Sequence, residues 1–193
     1  MPKSKAHRQR HVVVLEGWWN DNAEKRLSVA PLLKLLSRRN GTRYVLLTSG
    51  TAEEFQFNVE VARTMNAEGL LLLAFHGFPG GIYLPTGKVT MEDLSGLLKG
   101  LGKKWLVFFD SCATLKVEKE RIHEFMANTG VRAVAGFTKK VDWLDAAAVD
   151  LLLLDWLQLY VSIPRFWSRF QSVYPDLIKI TGLTMHFNGR KEK

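Results

Sequence analysis

Residues Gly69–Gly77 read GLLLLAFHG, and Lys104–Thr114 read KWLVFFDSCAT. Each run is apolar at almost every position and ends abruptly on a reactive residue. The first delivers His76 followed by Gly77, and the second delivers Cys112, the only cysteine of the chain. A short uninterrupted apolar run is the pattern of a strand covered on both faces, as in a parallel sheet flanked by helices. If the two runs are neighbours in one sheet, imidazole and thiol stand side by side at its carboxyl edge. Open α/β sheets bind their ligands there, and a cysteine nucleophile needs that arrangement.

Working outward, the chain alternates strand and helix, the signature of an α/β domain with a mostly parallel sheet. His11–Trp18 reads as the first strand and Ala30–Arg38 as a helix, with Ser28 as its cap and Pro31 in its first turn. Arg43–Ser49 is a second strand, and Ala52–Met65 has helical spacing with Phe55, Val59 and Ala62 on one face. Gly69–His76 is the third strand. The Gly77–Gly81 turn leads into a small hairpin over Gly81–Thr90. Thr90 and Asp93 form the pattern of a capping box for Met91–Lys99. Trp105–Asp110 is the fourth strand, and Val117–Asn128 is a helix stopped by Gly130. Val131–Phe137 is a fifth strand, Trp143–Tyr160 a long apolar helix, and Pro164–Tyr174 a short aromatic one. Thr181–Asn188 alternates as a last, edge strand.

At 193 residues and 47% hydrophobic content, one domain with one large core is expected over residues 11–189, between basic tails at 1–10 and 190–193. The formal charge is +8. Lys3, Lys5, Arg8 and Arg10 supply +4, and Arg190, Lys191, Glu192 and Lys193 supply +2, leaving +2 for the body. The basicity therefore belongs to solvated tails. No basic stripe interleaved with stacking aromatics appears, so no specific nucleic-acid partner is expected. The longest apolar stretch, Ala146–Val161, is interrupted by Asp150, Asp155 and Gln158 and is too short to span a bilayer. No signal peptide is visible. One cysteine excludes an intrachain disulfide framework and a Cys-rich zinc site, and a free thiol suits a reducing cytoplasm.

A cysteine needs a base, because its free pKa of about 8.5 leaves little thiolate at neutral pH. A histidine can take that proton and later protonate the leaving amine. Gly77 lets the amide after the histidine approach a substrate carbonyl. With the amide of Cys112 it would form an oxyanion hole, at about 3 kcal/mol per donor. Ser111 adjoins Cys112 but is the poorer nucleophile, and His11, His123 and His186 read as structural.

These residues carry a family resemblance. The order strand, His-Gly, hairpin with helix, then strand and Asp-Ser-Cys resembles the caspase-like cysteine peptidases, which include caspases, metacaspases, separases and gingipains. FHGFPGGIYLPTGKVTMEDLSGLL resembles the histidine motif of bacterial CHAT-like proteins, the nearest likeness. FFDSCAT resembles their cysteine motif and the DSC of metacaspases, and VRAVAGFTKKVDWLDAAAVDLLLLDWL resembles the strand and helix that follow. The likeness covers roughly Leu70–Leu157.

The resemblance implies a three-layer α-β-α fold with a mostly parallel central sheet of about six strands. It implies a His76–Cys112 dyad with the amides of Gly77 and Cys112 at the oxyanion, cleaving peptide bonds through an acyl-enzyme with no metal and no cofactor. Asp110 matches the metacaspase aspartate that helps to bind a basic side chain, and Asp142 lies in the loop at the same edge. Either would give a pocket its negative charge. The structural alternatives are that Asp110 orients local backbone and Asp142 caps the long helix, and Trp143 and Phe137 leave a nonpolar preference open. The chain lacks an obvious linker between large and small subunits, so regulation by a protein partner or a homodimer is expected in place of self-cleavage. The family often serves in bacterial antiviral defence or cell death. A non-enzymatic scaffold binding a protein partner is the main rival. A flavodoxin-like phosphate-binding domain is a weaker one, since the PGG turn is neither a Walker loop nor a dinucleotide fingerprint.

Overall fold

The first strand, His11–Glu16 (β1), buries Val12, Val13, Val14 and Leu15 completely in this computed structural model, which describes residues 10–18, 27–65 and 68–188. Side chains on both faces are covered because helices lie above and below it. Ala30–Asn40 (α1) leads to Tyr44–Thr48 (β2), and Ala52–Thr64 (α2) to Gly69–Ala74 (β3). The chain then makes three short strands, His76–Phe78 (β4), Gly81–Leu84 (β5) and Gly87–Thr90 (β6), before Met91–Leu97 (α3) and Trp105–Asp110 (β7). Lys119–Thr129 (α4), Ala133–Phe137 (β8), Trp143–Leu157 (α5), Ile163–Val173 (α6), Pro175–Thr181 (α7) and Leu183–Phe187 (β9) complete it.

The main sheet has six strands in the order β2-β1-β3-β7-β8-β9. All its neighbours are parallel except β9, which runs antiparallel to β8 at one edge. Alternate residues feed two apolar layers. Val13, Leu15, Leu71, Leu73, Val107 and Phe109 pack with Phe55 and Val59 of α2, Leu94 of α3 and Phe125 of α4. Val12, Val14, Leu70, Leu72, Leu106 and Phe108 pack with Leu33 of α1, Leu153 of α5 and Phe166 of α6. The result is the expected three-layer α-β-α architecture on a mostly parallel six-stranded sheet.

Two apolar runs that looked like neighbours are neighbours. β3 pairs with β7 from Gly69↔Trp105 to Ala74↔Asp110, and β1 lies on the other side with Glu16↔Ala74. Glu16, Ala74 and Asp110 therefore form one row across the carboxyl edge. Ala74 belongs to the layer beneath α1 and α5, so the two acidic side chains of that row flank a methyl group on the same face.

Four local expectations change. The first strand stops at Glu16, because its carboxylate turns to accept hydrogen bonds from Val29 N (2.8 Å) and Ser28 Oγ (2.9 Å). Val29 is the N-cap residue of α1, while Ser28 Oγ, one residue earlier, accepts from Ala30 N (3.1 Å) at the start of the helix as it donates to Glu16. His76 begins β4 instead of ending β3, so the small antiparallel sheet has three strands, β4-β5-β6, where a two-stranded hairpin was expected. The chain also makes an extra helix, α7, opened by Pro175 and closed by Gly182 at φ 65°.

Arg10 is the largest departure, because it was assigned to a solvated basic tail. It is 1% exposed. Its guanidinium donates to the carbonyls of Leu157 and Val161, and its own amide donates to Gln158 Oε1 (2.8 Å). It supplies both donors and positive charge to the carboxyl end of α5, where carbonyls lack partners within the helix. The rest of that tail, and residues 190–193, lie outside the described residues.

Candidate active site

β3 ends where Phe75 turns into the core against Phe55, at 5.9 Å between ring centroids, while its amide donates to Asp110 O (3.3 Å). The next residue leaves the sheet. His76 is exposed at the start of β4, and β4 passes directly over the loop that follows β7. The contact is so close that a Cβ on Gly77 would lie 2.4 Å from Cys112 O and 2.8 Å from Cys112 N. No side chain fits, so the His-Gly pair is a steric requirement for seating β4 on the cysteine loop.

Hydrogen bonds then stitch the two segments together. Thr114 Oγ1 donates to Gly81 O (3.0 Å), and Gly80 N donates to Thr114 O (3.1 Å). Thr114 has one hydroxyl hydrogen, so in its 2.7 Å contact with Ser111 Oγ it accepts and Ser111 donates. Ser111 is buried and occupied in this way, which leaves half-buried Cys112 as the accessible nucleophile of the pair.

Cys112 itself is held at a bend. Ala113 has φ 56°, the one positive value among described residues other than glycine, a backbone region costly for a residue with a Cβ. The strained position is fixed by Ala113 N donating to Lys139 O (2.8 Å), which ties the loop to the segment between β8 and α5. From that segment Val141 brackets the sulfur. Its amide donates to Sγ at 3.4 Å, and its carbonyl lies 3.6 Å away as acceptor for the S–H. The thiol has an acceptor and a sulfur anion has a donor, without movement of the backbone.

His76, Asp110, Cys112, Trp143 and Asp150 all line one cavity of about 230 Å³, with exposed Lys140 also among its lining residues. Whole small-molecule sites run to about 300–1,000 Å³, so this is a space for one side chain. Its polar floor is acidic. Asp110 and Asp150 are 4% and 2% exposed and hydrogen-bonded to each other. Burial pushes Asp110 up to about 7, the nearby Glu16 charge pushes the same way, and the hydrogen bond from Asp150 opposes both. Burial, the Asp110 charge and the bond to Asp110 all push Asp150 well above the usual carboxylate range. Burial beside a second carboxyl thus favours the protonated form of Asp150. Its Oδ1 has no hydrogen-bond partner.

The structure brings His76, Gly77, Cys112, Asp110 and Trp143 to one place. Asp142 is not among the residues lining the cavity. It is the N-cap of α5, with its Oδ1 accepting from Leu144 N (2.9 Å). Two acidic residues were missed. Asp150 appeared in the sequence only as a polar interruption of an apolar stretch, yet its spacing puts it on the buried face of α5 with Ala147, Leu154 and Leu157. An aspartate on that face was the available signal. Glu16 gave none beyond its place at the end of an apolar strand. His123 and His186 pair with each other instead, 6.5 Å between rings. Burial, followed by the charges of His123 and Lys119, lowers the pKa of His186. Among the described residues, no cluster of His, Cys, Asp or Glu is arranged to hold a metal ion, and no helix is long and apolar enough to cross a membrane.

The fold is shared with a solved peptidase. The chain is similar to a secreted C11 cysteine protease from Bacteroides thetaiotaomicron, determined in complex with an irreversible peptide inhibitor. The TM-score is 0.56 at 12% identity, over 93% of this chain and 66% of that one. At that identity the likeness shows the caspase-like fold. No curated protein matches the chain significantly. Residues 9–187 match the model of DUF6642, a family of unknown function. The match spans almost the entire α-β-α domain, and the chain is therefore a member of the DUF6642 family with a caspase-like fold.

Proposed function

We propose that the chain is a cysteine endopeptidase working through a His76–Cys112 dyad on a protein or peptide substrate. The observation that carries this is the seating of β4 on the cysteine loop, which a side chain at Gly77 would prevent and which puts His76 and Cys112 on one cavity. In the proposed reaction His76 takes the Sγ proton and the thiolate attacks the scissile carbonyl. The amides of Gly77 and Cys112 receive the oxyanion. The amine leaves with the proton held by His76, and water then releases the acyl group from sulfur. Val141 N supplies a donor to the sulfur while it carries charge.

Asp110, on the cavity floor, gives the substrate pocket its negative charge and favours a basic residue before the scissile bond. Trp143 forms part of its apolar wall. The resemblance to CHAT-like proteins supports a cytoplasmic role in bacterial defence or cell death, under control of a protein partner or a second copy. The test is cleavage of a peptide library with the Cys112→Ala protein as control. Cleavage at basic residues that disappears in Cys112→Ala is expected, and cleavage that survives the substitution would overturn the dyad.

A second reading is a protein-binding scaffold, favoured by the bracketing of Sγ between the amide and carbonyl of Val141, which also suits an inert thiol. Alkylation of native Cys112 no faster than that of a free peptide thiol near neutral pH would support it.

A further inference from the structure

The proposed reaction uses His76 and leaves the rest of its small sheet without a role. His76 on β4 stands directly opposite Tyr83 on β5, and Tyr83 stands opposite Lys88 on β6. Side chains directly opposite each other in a sheet share a face, and so do residues two apart on one strand. His76, Phe78, Tyr83 and Lys88 therefore lie on one face. His76 lines the cavity it shares with Cys112, and the other three extend the same surface beyond it. They form a cluster of their own. The Phe78 and Tyr83 rings are 4.9 Å apart between centroids, and Lys88 Nζ sits 5.4 Å from the first centroid and 5.8 Å from the second. Tyr83 is 39% exposed, and Lys88 is exposed as well. Lys88 pairs with no carboxylate among the described residues. The next two acidic residues of the chain, Glu92 and Asp93, are taken up by Arg121 and by Thr90. Contact with the two ring faces holds the ammonium in place and leaves it N–H donors for an anion.

We propose that Lys88 and Tyr83 form a subsite for an acidic side chain on the amine side of the scissile bond, selecting substrates with glutamate or aspartate two or three residues after the cut. The inference rests on the peptidase reading and adds a determinant of its substrate. In that reading His76 protonates the leaving amine, so the departing segment begins at His76. Adjacent strands are about 4.8 Å apart, which puts Lys88 about 10 Å from His76 along the row. An extended peptide advances about 3.3 Å per residue, so two or three residues cover that distance. There the Lys88 ammonium and the Tyr83 hydroxyl both donate to a carboxylate. A carboxylate gains the ammonium charge together with the hydrogen bonds, whereas a neutral amide of the same shape gains the hydrogen bonds alone.

The experiment compares kcat/KM for two matched peptides with arginine before the cut. One carries glutamate, and the other neutral, near-isosteric glutamine, at the second and third positions after it. The glutamate peptide should be favoured about fivefold at low salt, as for an exposed ion pair, and by less at about 0.5 M salt. In Lys88→Ala the preference should fall below about twofold. In Lys88→Glu it should invert, with the glutamine peptide cleaved faster. That variant leaves the chain basic overall, so long-range attraction does not supply the inversion. Binding of the same two peptides to Cys112→Ala protein, with and without Lys88→Glu, reads the subsite by calorimetry without turnover. Equal kcat/KM for the two peptides in wild type, or a glutamate preference that survives in Lys88→Glu, would overturn the inference and leave the peptidase reading standing. A glutamate preference in binding that Lys88→Glu inverts, with neither peptide cleaved by wild type, would overturn the peptidase reading and uphold the subsite. Neither cleavage nor a binding preference would overturn both.

Discussion

Ala113 and Gly77 are the two residues whose backbones are most tightly bound to the proposed chemistry. Ala113 sits at φ 56° immediately after the nucleophile. Replacing it by glycine removes the Cβ penalty of that conformation, roughly 1 kcal/mol, offset in part by the greater freedom of the unfolded chain. Ala113→Gly should therefore hold or raise the Tm while slowing turnover, because the bend that fixes Cys112 loosens; scanning calorimetry and kcat check the two effects separately. Gly77→Ala should do the reverse of a neutral change. Its methyl would overlap Cys112 O and N, so β4 must lift from the loop, at about 1–3 kcal/mol and with loss of measurable kcat/KM. A Gly77→Ala protein of normal Tm and activity would show that the close approach is not needed.

At the scale of elements, the sequence was legible wherever periodicity alone decides. Six apolar or alternating runs became the six strands of the sheet, and the Thr90–Asp93 capping box formed as its spacing demands, with Asp93 N donating to Thr90 Oγ1 and Asp93 accepting from Thr90 N. What was illegible depends on distant partners. His76 read as the end of β3, and Gly77 and Phe78 as the start of a turn, because nothing local marks where a strand leaves a sheet to lie on another loop. Arg10 read as solvent-exposed, because its partners on α5 lie more than a hundred residues away. Asp150 read as an accident of an apolar helix, because its partner is on β7. The role of Arg10 is checked by Arg10→Ala, which leaves Leu157 O and Val161 O without their charged donor. A loss of about 1.5–3 kcal/mol is expected, and at about 2–4 °C per kcal/mol for a chain of this size thermal unfolding will show it.

For the whole molecule, the buried acids set a conflict between stability and the proposed function. Asp150 holds its proton in the folded state at pH values where the unfolded chain has released it. The native state then binds more protons than the unfolded one, so this residue's contribution to stability falls as pH rises above the ordinary aspartate range near 3.8. Asp150→Asn has no such linkage and keeps a donor for Asp110. Its Tm should exceed that of wild type by a margin that widens between pH 5 and pH 8, and a constant margin would contradict the buried pair. The comparison with wild type matters because the lowered pKa values of His11 and His186 tilt the absolute curve the other way. A domain that retains destabilising acids beside a bent, bracketed thiol fits a chain selected for a site more than for stability. The central claim is that Cys112 is a nucleophile activated by His76. The most direct measurement is intact mass with time after adding an arginyl peptide that carries an irreversible thiol-directed electrophile. A single adduct on Cys112 is predicted, absent in Cys112→Ala and formed at least about 100-fold more slowly in folded His76→Ala. Labelling at the same rate in His76→Ala as in wild type, or no faster in the native protein than in the unfolded chain, would contradict it.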